Sequence, residues 1–159
     1  MNRLYLLTGS NIGDSLTYLH QASIHIQEQV GSLVAISSIY KTAPWGNTNQ
    51  HHFLNQVIEL KTKLTPEVVL TSILRIEQEM GRKRIAKWEP RVIDIDILFF
   101  NDLIMENNEL TIPHSLLHLR RFTLLPLSEI APNLVHPALG LTVASLLQKC
   151  QDISLVEKM

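Results

Sequence analysis

The sequence predicts an α+β domain of the ferredoxin-like kind, in which helices pack on an antiparallel sheet and a C-terminal extension follows. Strand-like and helix-like segments alternate in the order β-α-β-β-α-β as far as Phe100, which is the split arrangement of that fold. The chain of 159 residues is long enough for a substantial core, and it holds no repeat, low-complexity segment or clear linker. We therefore expect one domain spanning residues 1–159.

The first half of this pattern begins with a short apolar strand, Leu4–Thr8, and a turn over Gly9–Gly13. Asp14 or Ser15 can cap a following helix, because a short polar side chain there accepts a hydrogen bond from the first turn. Apolar residues at helical spacing predict the buried face of this helix and a glycine predicts its end: Leu16, Leu19, Ala22, Ile26, Val30 and then Gly31. Leu33–Tyr40 is rich in β-branched residues and predicts the next strand.

The second half of the pattern follows a long loop over Lys41–His52, which has no period and contains proline and glycine. Phe53–Lys61 predicts a strand. Thr65 followed by Pro66 predicts the N-cap and first residue of a helix. The buried stripe of that helix and its glycine stop are expected at Val69, Ile73, Ile76, Met80 and Gly81.

The C-terminal extension is predicted to contain a hairpin, a turn and two helical regions. In order, these are Leu103–Met105 with Leu110–Ile112, the turn at Pro113 and His114, Pro126–Ile130, and Val143–Lys149. The last of them has the apolar spacing of an amphipathic helix.

The composition argues against several classes of partner. The net charge is −1 and the pI is about 6.6, whereas proteins that bind nucleic acid or membrane surfaces usually carry a basic excess. The single cysteine, Cys150, rules out an intrachain disulfide and fits a reducing compartment. No apolar stretch approaches the length of a membrane span, and Met1–Leu7 is too short for the core of a signal peptide. We expect a cytoplasmic monomer that acts on small molecules, with neither nucleic acid nor membrane as a partner.

Asp94 and Asp96 are two of only five aspartates, and they stand two residues apart in a predicted strand, Arg91–Phe100. Because side chains alternate along a strand, both carboxylates project from one face while isoleucines pack on the other. Two adjacent like charges repel each other, so the pair favours a cation between them, and hard oxygen ligands suit Mg²⁺. The alternative is a solvated edge strand whose charges prevent edge-to-edge pairing.

A basic segment precedes this pair and favours the metal interpretation. It contains five of the fourteen basic residues of the chain: Arg82, Lys83, Arg84, Lys87 and Arg91. Metal-binding carboxylates beside such cations suit a polyphosphate substrate, because the metal bridges phosphate oxygens and arginine forks bind the others. Trp88 lies in this segment and Trp45 in the earlier loop, where each either anchors its loop to the core or covers a flat ligand.

Two further positions allow both a structural and a functional interpretation. Phe53 and Asn55 share one face of their strand, where the amide is satisfied by the backbone or reads the polar edge of a ring stacked on the phenylalanine. Chemistry alone favours the structural interpretation of Asn55. His114 is either a turn residue or, together with Arg120, a phosphate ligand. The residues by themselves leave the two interpretations of His114 level.

Several catalytic motifs are absent from the sequence. Gly9–Gly13 is followed by Asp14 rather than by the lysine of a phosphate-binding loop, and there is no G-x-G-x-x-G, H-E-x-x-H or G-x-S-x-G motif. Two other functions have to be weighed: a Mg²⁺-dependent nucleotidyltransferase using Asp94 and Asp96, and a ferredoxin-like module that stacks RNA bases on sheet aromatics. The near-neutral charge and the paired carboxylates argue against the RNA-binding module.

From Leu4 to about Pro137, the chain resembles the 6-hydroxymethyl-7,8-dihydropterin pyrophosphokinase family. The landmarks, in chain order, are Gly9-Ser10-Asn11, Tyr40-Lys41-Thr42 with Pro44 and Gly46, Phe53-Leu54-Asn55, Arg75-Ile76-Glu77 with Gly81-Arg82, Trp88-Glu89-Pro90-Arg91, Asp94-Ile95-Asp96-Ile97-Leu98, Pro113-His114, Arg120-Arg121-Phe122, and Pro126-Leu127 with Glu129-Ile130-Ala131-Pro132. Each landmark is weak alone, whereas their order and spacing together are highly specific.

The resemblance implies that ATP donates its β,γ-pyrophosphoryl unit to the hydroxymethyl oxygen of the pterin and leaves as AMP, in folate biosynthesis. It implies two Mg²⁺ ions held by Asp94 and Asp96, which form the expected catalytic set with Arg82, Arg84 and Arg91. The residues that it places at ATP are Glu77, Arg82, Trp88, Arg91, Ile97, Thr111, His114 and Arg120. The residues that it places at the pterin are Thr42, Ala43, Pro44, Trp45, Asn55 and the sandwiching pair Phe53 and Phe122.

Two residues depart from the pattern that the resemblance implies. Glycine often stands between the tryptophan and the proline of the phosphate loop, and Glu89 here adds a negative charge and a stiffer backbone. Tyrosine is common at the position of Phe53, so ring stacking is kept while a phenol hydrogen bond is lost. We expect the first departure to alter loop closure.

Overall fold

The computed structural model describes residues 1–42, 51–81 and 92–159. Its helices and strands, in chain order, are β1 (Asn2–Ser10), α1 (Ser15–Gln29), β2 (Ser32–Ile36), β3 (Tyr40–Thr42), β4 (Phe53–Thr62), α2 (Pro66–Glu79), β5 (Asp94–Phe100), β6 (Met105–Glu106), β7 (Thr111–Ile112), α3 (Arg121–Ile130), α4 (Val143–Lys149) and β8 (Val156–Lys158). A 3-10 turn covers Leu117–Leu119. This mixture of helices and strands confirms the predicted α+β class.

The main sheet is antiparallel at every pairing among the described strands. Its order is β5-β1-β4-β3-β8, and β2 also pairs with β4. The strand β1 lies between β4 and β5, so residues far apart in the chain are aligned across it. The remaining strands, β6 and β7, pair only with each other and confirm the predicted hairpin.

Both faces of the sheet are covered, because β1 is apolar on both. Leu4 and Leu6 belong to a core cluster with α1 and α2, whereas Tyr5 and Leu7 belong to a second cluster with α3 and α4. The helices α1 and α2 therefore lie together on one face of the sheet. The C-terminal helices bury the opposite face, which the local pattern of the first half does not reveal.

Two strand boundaries differ from the predictions. Leu33–Tyr40 is not one strand, because Ser37 interrupts it: its backbone N–H donates to the Val57 oxygen and its hydroxyl accepts from the Val57 N–H. The first two residues of the predicted loop over Lys41–His52 belong to β3, since Lys41 and Thr42 pair with β4. The strand β8 was not predicted; it is short, exposed and held by β3.

The helix starts follow the predicted capping residues. Asp14 accepts a hydrogen bond from the Thr17 backbone, and its contacts with Thr17 hold its pKa below the usual value. Thr65 caps α2 in the same way, with Pro66 as its first residue. The predicted stripe of α2 is buried at Val69, Ile73 and Ile76 and half-buried at Met80, and Gly81 ends the helix with a φ of 89°. In α1 the prediction is wrong for Leu16, which is exposed.

The C-terminal extension is more helical than predicted. The helix α3 begins at Arg121, before the predicted region, and accommodates Pro126 within it. The helix α4 has the predicted bounds. In the described part of the chain, no helix has both the length and the apolar character needed to cross a membrane.

Gly31 is needed for a different reason from the one the sequence suggests. The helix α1 ends at Gln29, and Gly31 is not among the residues with positive φ, so it is no left-handed stop. A Cβ at this position would instead overlap the carbonyl oxygen of Lys61. The glycine therefore lets the end of α1 pass close to β4.

We expect Gly31→Ala to destabilise the fold by about 1–3 kcal/mol, because the overlap is with backbone that cannot rotate away. Urea unfolding followed by circular dichroism measures this loss. Ser32→Ala, at the adjacent exposed position, is the control and should change stability by less than about 0.5 kcal/mol. Equal stabilities for the two variants would contradict the close approach.

Candidate active site

Asp94 and Asp96 are the first and third residues of β5 and are half-buried. Asp94 lies opposite Gly9 of β1, and Asp96 lies opposite Leu7. Leu7 faces the cluster beneath α3 and α4, whereas Ile95 is buried in the cluster beneath α1 and α2. Alternation along the strand therefore puts both carboxylates on the α3 side of the sheet.

Gly9 is flanked by two polar side chains from neighbouring strands. Asp94 pairs with it from β5 and Asn55 pairs with it from β4. A Cβ on Gly9 would lie 2.7 Å from Nδ2 of Asn55. Because Gly9 has no side chain, the Asn55 amide can lie over β1, on the side where Asp94 pairs with the strand.

A second polar contact fixes the orientation of the Asn55 amide. The Thr42 hydroxyl donates to Oδ1 of Asn55 at 2.8 Å, and Nδ2 donates to the Thr8 carbonyl at 3.5 Å. Thr42 and Asn55 are both almost fully buried. Phe53 lies opposite Thr42, so aromatic ring and polar pair share one face of the sheet.

Glu77 reaches β5 from α2. Its Oε2 accepts a hydrogen bond of 2.8 Å from the backbone N–H of Ile95, and only 2% of the residue is exposed. Ile95 stands between Asp94 and Asp96, so a buried carboxylate anchors the backbone between the two. The resemblance also implies that Glu77 contacts ATP. The hydrogen bond from Ile95 is a second, structural role of the same carboxylate and does not depend on that contact.

His114 is held against the outer edge of the same strand. Its backbone N–H donates to the Leu98 carbonyl, and its Nδ1 accepts from the Leu116 backbone. Burial, and then the positive charge of Arg120, lower its pKa to about 4, while Asp94 acts in the opposite direction. The ring is therefore neutral near pH 7 and carries its proton on Nε2. The turn interpretation of His114 is correct for Nδ1, and Nε2 can still donate to an anion.

Arg120 and Phe122 lie at the start of α3. Arg120 is buried, and its guanidinium carbon lies 5.5 Å from the centroid of the Phe122 ring. This distance is within the range of a cation–π contact. The arginine thereby orders an aromatic side chain on the same side of the sheet as Asn55.

A cleft of about 670 Å³ opens beside Asp96. Its lining includes Ile97, Thr111 and His114, which the resemblance places at ATP, and Asp96, which it places at Mg²⁺, together with residues of α2. The size suits a nucleotide-sized ligand. The cleft thus unites four of the predicted positions in one place.

The remaining predicted residues lie outside the described part of the chain. They are Ala43, Pro44, Trp45, Arg82, Arg84, Trp88 and Arg91. Within the described part, the sequence predictions passed over the roles of Gly9 and Asn11. Asn11 donates from Nδ2 to the His51 carbonyl and so holds the approach to β4. A Gly-Ser-Asn sequence at the end of a central strand was the available signal for both.

The donor set near Asp94 and Asp96 fits Mg²⁺. Among residues 1–42, 51–81 and 92–159, no group of three or more histidine, cysteine, aspartate or glutamate side chains could form a complete metal cage. Mg²⁺ does not need one, because it is commonly held by one or two carboxylates while water and substrate phosphates complete its shell. Asp96, half-buried in the lining of the cleft, and Asp94, two residues before it on the same face of β5, offer such a pair of carboxylates.

Comparisons with known proteins agree on one family. The family model described as 7,8-dihydro-6-hydroxymethylpterin-pyrophosphokinase matches residues 5–132. The chain is 45% identical over 136 residues to the 2-amino-4-hydroxy-6-hydroxymethyldihydropteridine pyrophosphokinase of Methylorubrum extorquens, covering 85% of this chain and 86% of that one. It is 42% identical over 137 residues to the enzyme of the same name from Aquifex aeolicus, covering 86% and 85%.

A solved structure gives the same result for the fold. The HPPK-DHPS triple mutant of Plasmodium falciparum matches with a TM-score of 0.77 at 21% identity, over 93% of this chain. The match covers 44% of that longer protein, so this chain corresponds to less than half of it. From the family model and the curated relatives together, the chain belongs to the 7,8-dihydro-6-hydroxymethylpterin-pyrophosphokinase family.

Proposed function

We propose that the residues around Gly9 form the active site of a Mg²⁺-dependent pyrophosphokinase. The enzyme transfers pyrophosphate from ATP to the hydroxymethyl group of 6-hydroxymethyl-7,8-dihydropterin, releases AMP and serves folate biosynthesis. It works as a single-domain cytoplasmic monomer on small molecules, without nucleic acid or membrane. Its net charge of −1 supports the absence of those two partners. Its sheet is of the ferredoxin-like kind, which the order β5-β1-β4 with β2 and β3 beyond supports.

The placement of Asp94 and Asn55 on either side of Gly9 carries this proposal. Neighbouring strands are about 4.8 Å apart, so the two side chains leave the sheet about 10 Å from each other. A metal-bound phosphate at one and a polar ring edge at the other would therefore share a single face. The acceptor's hydroxymethyl group then lies between the two, where transfer requires it.

On the pterin side, the polar edge of the ring forms hydrogen bonds with the buried pair Thr42 and Asn55. Thr42 fixes the amide of Asn55 by donating to its oxygen, so the amide is already oriented before the ring binds. Phe53 and Phe122 sandwich the ring from opposite sides. Ala43, Pro44 and Trp45 complete the wall of this pocket.

On the ATP side, neutral and charged donors divide the phosphate contacts. His114 donates from Nε2, and Arg120 contributes a charged guanidinium from the start of α3. Arg82 and Arg91 bind further phosphate oxygens, and Arg84 and Trp88 belong to a loop that closes over them. Ile97 and Thr111 line the cleft where the rest of the nucleotide lies.

Asp94 and Asp96 would hold two Mg²⁺ ions through their carboxylate oxygens. When bound, Mg²⁺ neutralises triphosphate charge and lowers the pKa of the attacking hydroxyl. Glu77 keeps the backbone between the two aspartates in place and so acts as a positioning residue. Catalysis then depends on holding the attacking oxygen, the β-phosphorus and the leaving oxygen in line.

The direct test of this function is to incubate the protein with ATP, Mg²⁺ and the hydroxymethyl pterin and to separate the nucleotides. AMP formed only when the pterin is present supports pyrophosphoryl transfer. ADP indicates ordinary kinase chemistry, and pyrophosphate release indicates nucleotidyl transfer. Either of these products would overturn the proposal.

We expect Asp96→Ala to lower turnover by roughly 100-fold or more while leaving the fold intact, because metal stabilisation of transition-state charge is worth several kcal/mol. The measurement is AMP formation at saturating ATP with a Mg²⁺ titration. Asp102→Ala, at an exposed aspartate, is the control and should behave like the unsubstituted enzyme. If Asp96→Ala reached the turnover of the unsubstituted enzyme at the Mg²⁺ concentration that saturates that enzyme, this result would contradict the metal assignment.

We expect Asn55→Ala to raise the KM for the pterin roughly tenfold and to leave the KM for ATP unchanged, because a preset hydrogen-bonding edge is lost. Thr42→Val keeps the shape of the threonine but not its donor, so the same KM should rise by a smaller factor. Steady-state kinetics with each substrate varied in turn distinguish the two constants. An equal rise in both KM values would place Asn55 outside the pterin pocket.

We expect Glu77→Ala to cost about 1–3 kcal/mol of stability, because the buried N–H of Ile95 is left without its acceptor. The variant should also need more Mg²⁺ for half-maximal turnover, since the aspartates are less well positioned. Glu77→Gln keeps an acceptor oxygen, so both losses should be smaller. If Glu77→Ala and Glu77→Gln lost the same amount of stability and needed the same extra Mg²⁺, the negative charge of Glu77 rather than its acceptor oxygen would be the important property.

A further inference from the structure

The C-terminal segment, residues 150–159, makes a hydrogen bond at the start of α3. Oδ2 of Asp152 accepts from the Arg121 backbone N–H at 3.0 Å, and Oδ1 accepts from the Ser154 N–H at 2.9 Å. The N-cap residue of α3 is Arg120, which makes no capping hydrogen bond through its side chain. The side chain of Arg120 has no acceptor to offer, so the Arg121 N–H is capped by Asp152, which lies 31 positions beyond Arg121 in the chain.

This external cap lies beside the residues that α3 presents to the active site. Arg120 precedes the capped residue and Phe122 follows it. Partial burial would raise the pKa of Asp152, but the hydrogen bonds from Ser154 and Arg121 outweigh it and hold the pKa below the usual value. Asp152 is therefore charged near neutral pH, which also complements the positive end of the helix.

The same segment also holds the opposite wall of the pterin pocket. The strand β8 pairs with β3, where Val156 lies opposite Thr42, and the Met159 N–H donates to the Ile39 carbonyl at 2.9 Å. Thr42 in turn orients Asn55. The strand β8 thus occupies the outer edge of β3, next to Thr42 and Asn55.

Glu129 connects these two contacts through the far end of α3. Its Oε1 accepts from the Tyr40 hydroxyl at 2.6 Å, and Oε2 accepts from the Ser38 N–H at 2.8 Å. Lys158 of β8 lies 3.9 Å from the same carboxylate. The helix α3, the strand β3 and the C-terminal segment therefore form one connected unit.

We propose that residues 150–159 act as a strap that sets the spacing between the Phe122 wall and the Thr42 wall of the pterin pocket, with Asp152 as its positioning residue. The strap holds by polar and backbone contacts rather than by burial, since Ile153 is 97% exposed and Leu155 is 62% exposed. It lies beyond the family match, which ends at residue 132. The proposal rests on the assignment of Thr42 and Phe122 to the pterin pocket.

The test compares Asp152→Ala, Asp152→Asn and a chain that ends at Leu155. At saturating ATP, the alanine variant should raise the KM for the pterin roughly fivefold, which corresponds to the energy of one helix cap. The shortened chain keeps Asp152 but lacks β8, and it should raise the same KM. The KM for ATP should stay the same, and kcat should change by less than twofold. The asparagine variant keeps one acceptor oxygen and should fall between the alanine variant and the unsubstituted enzyme.

Phe122→Ala separates a failure of this proposal from a failure of the pocket assignment. If Phe122→Ala leaves the pterin KM unchanged, the pocket assignment is wrong and the strap proposal falls with it. If Phe122→Ala raises the pterin KM while the strap variants lower only kcat, the strap merely stabilises the folded enzyme and the proposal is overturned. An equal rise in the KM for ATP and for the pterin in the strap variants overturns it as well. Thermal unfolding of each variant shows that the assay temperature lies below every transition.

Discussion

The arrangement of the site depends on the backbone register at Gly9. The central strand β1 pairs with β4 on one side and β5 on the other, so Asn55 and Asp94 are aligned through Gly9 by ladder hydrogen bonds. A slip of one residue in either pairing would turn the corresponding side chains to the opposite face. In β5 such a slip is costly, because it would turn Ile95 and Ile97 out of the cluster beneath α1 and α2 and turn Asp94 and Asp96 into it. The two ends of the proposed site are thus positioned by the interior of the protein.

A backbone hydrogen bond allows a third acidic residue, Glu77, to lie beside the two aspartates of β5. Glu77 is almost fully buried, yet it is satisfied by the Ile95 backbone N–H between Asp94 and Asp96. Arg120 is buried on the α3 side, and its charge helps to keep His114 neutral. Near neutral pH the proposed phosphate contacts would therefore combine one charged guanidinium with one neutral N–H donor. Carboxylates lie along one strand and N–H donors lie next to it, which is the arrangement that the proposed metal–phosphate substrate would need.

The sequence predicts those features whose cause lies within a few residues. Asp14, Thr65 and Pro66 cap or start helices by local contacts, and the period of a strand places Asp94 and Asp96 on one face. Features that depend on a distant partner were missed. The close approach of Gly31 to Lys61 and the pairing of β8 with β3 are of this kind, since no local pattern reports which strand passes nearby. Family resemblance supplies the candidate ligand residues, but not the contacts that hold them in position.

Asp152 illustrates why such supporting residues carry so little sequence signal. A residue that touches a substrate must offer a particular group in a particular place, whereas the free N–H groups of a helix N-terminus can donate to any nearby oxygen. Asp152 lies in a segment whose apolar side chains are largely exposed, so neither its periodicity nor its burial distinguishes it from a solvated tail. Only the missing cap at Arg120 shows that an acceptor has to come from elsewhere. A helix end that lacks a capping side chain of its own is therefore a better guide to a supporting residue than any property of that residue itself.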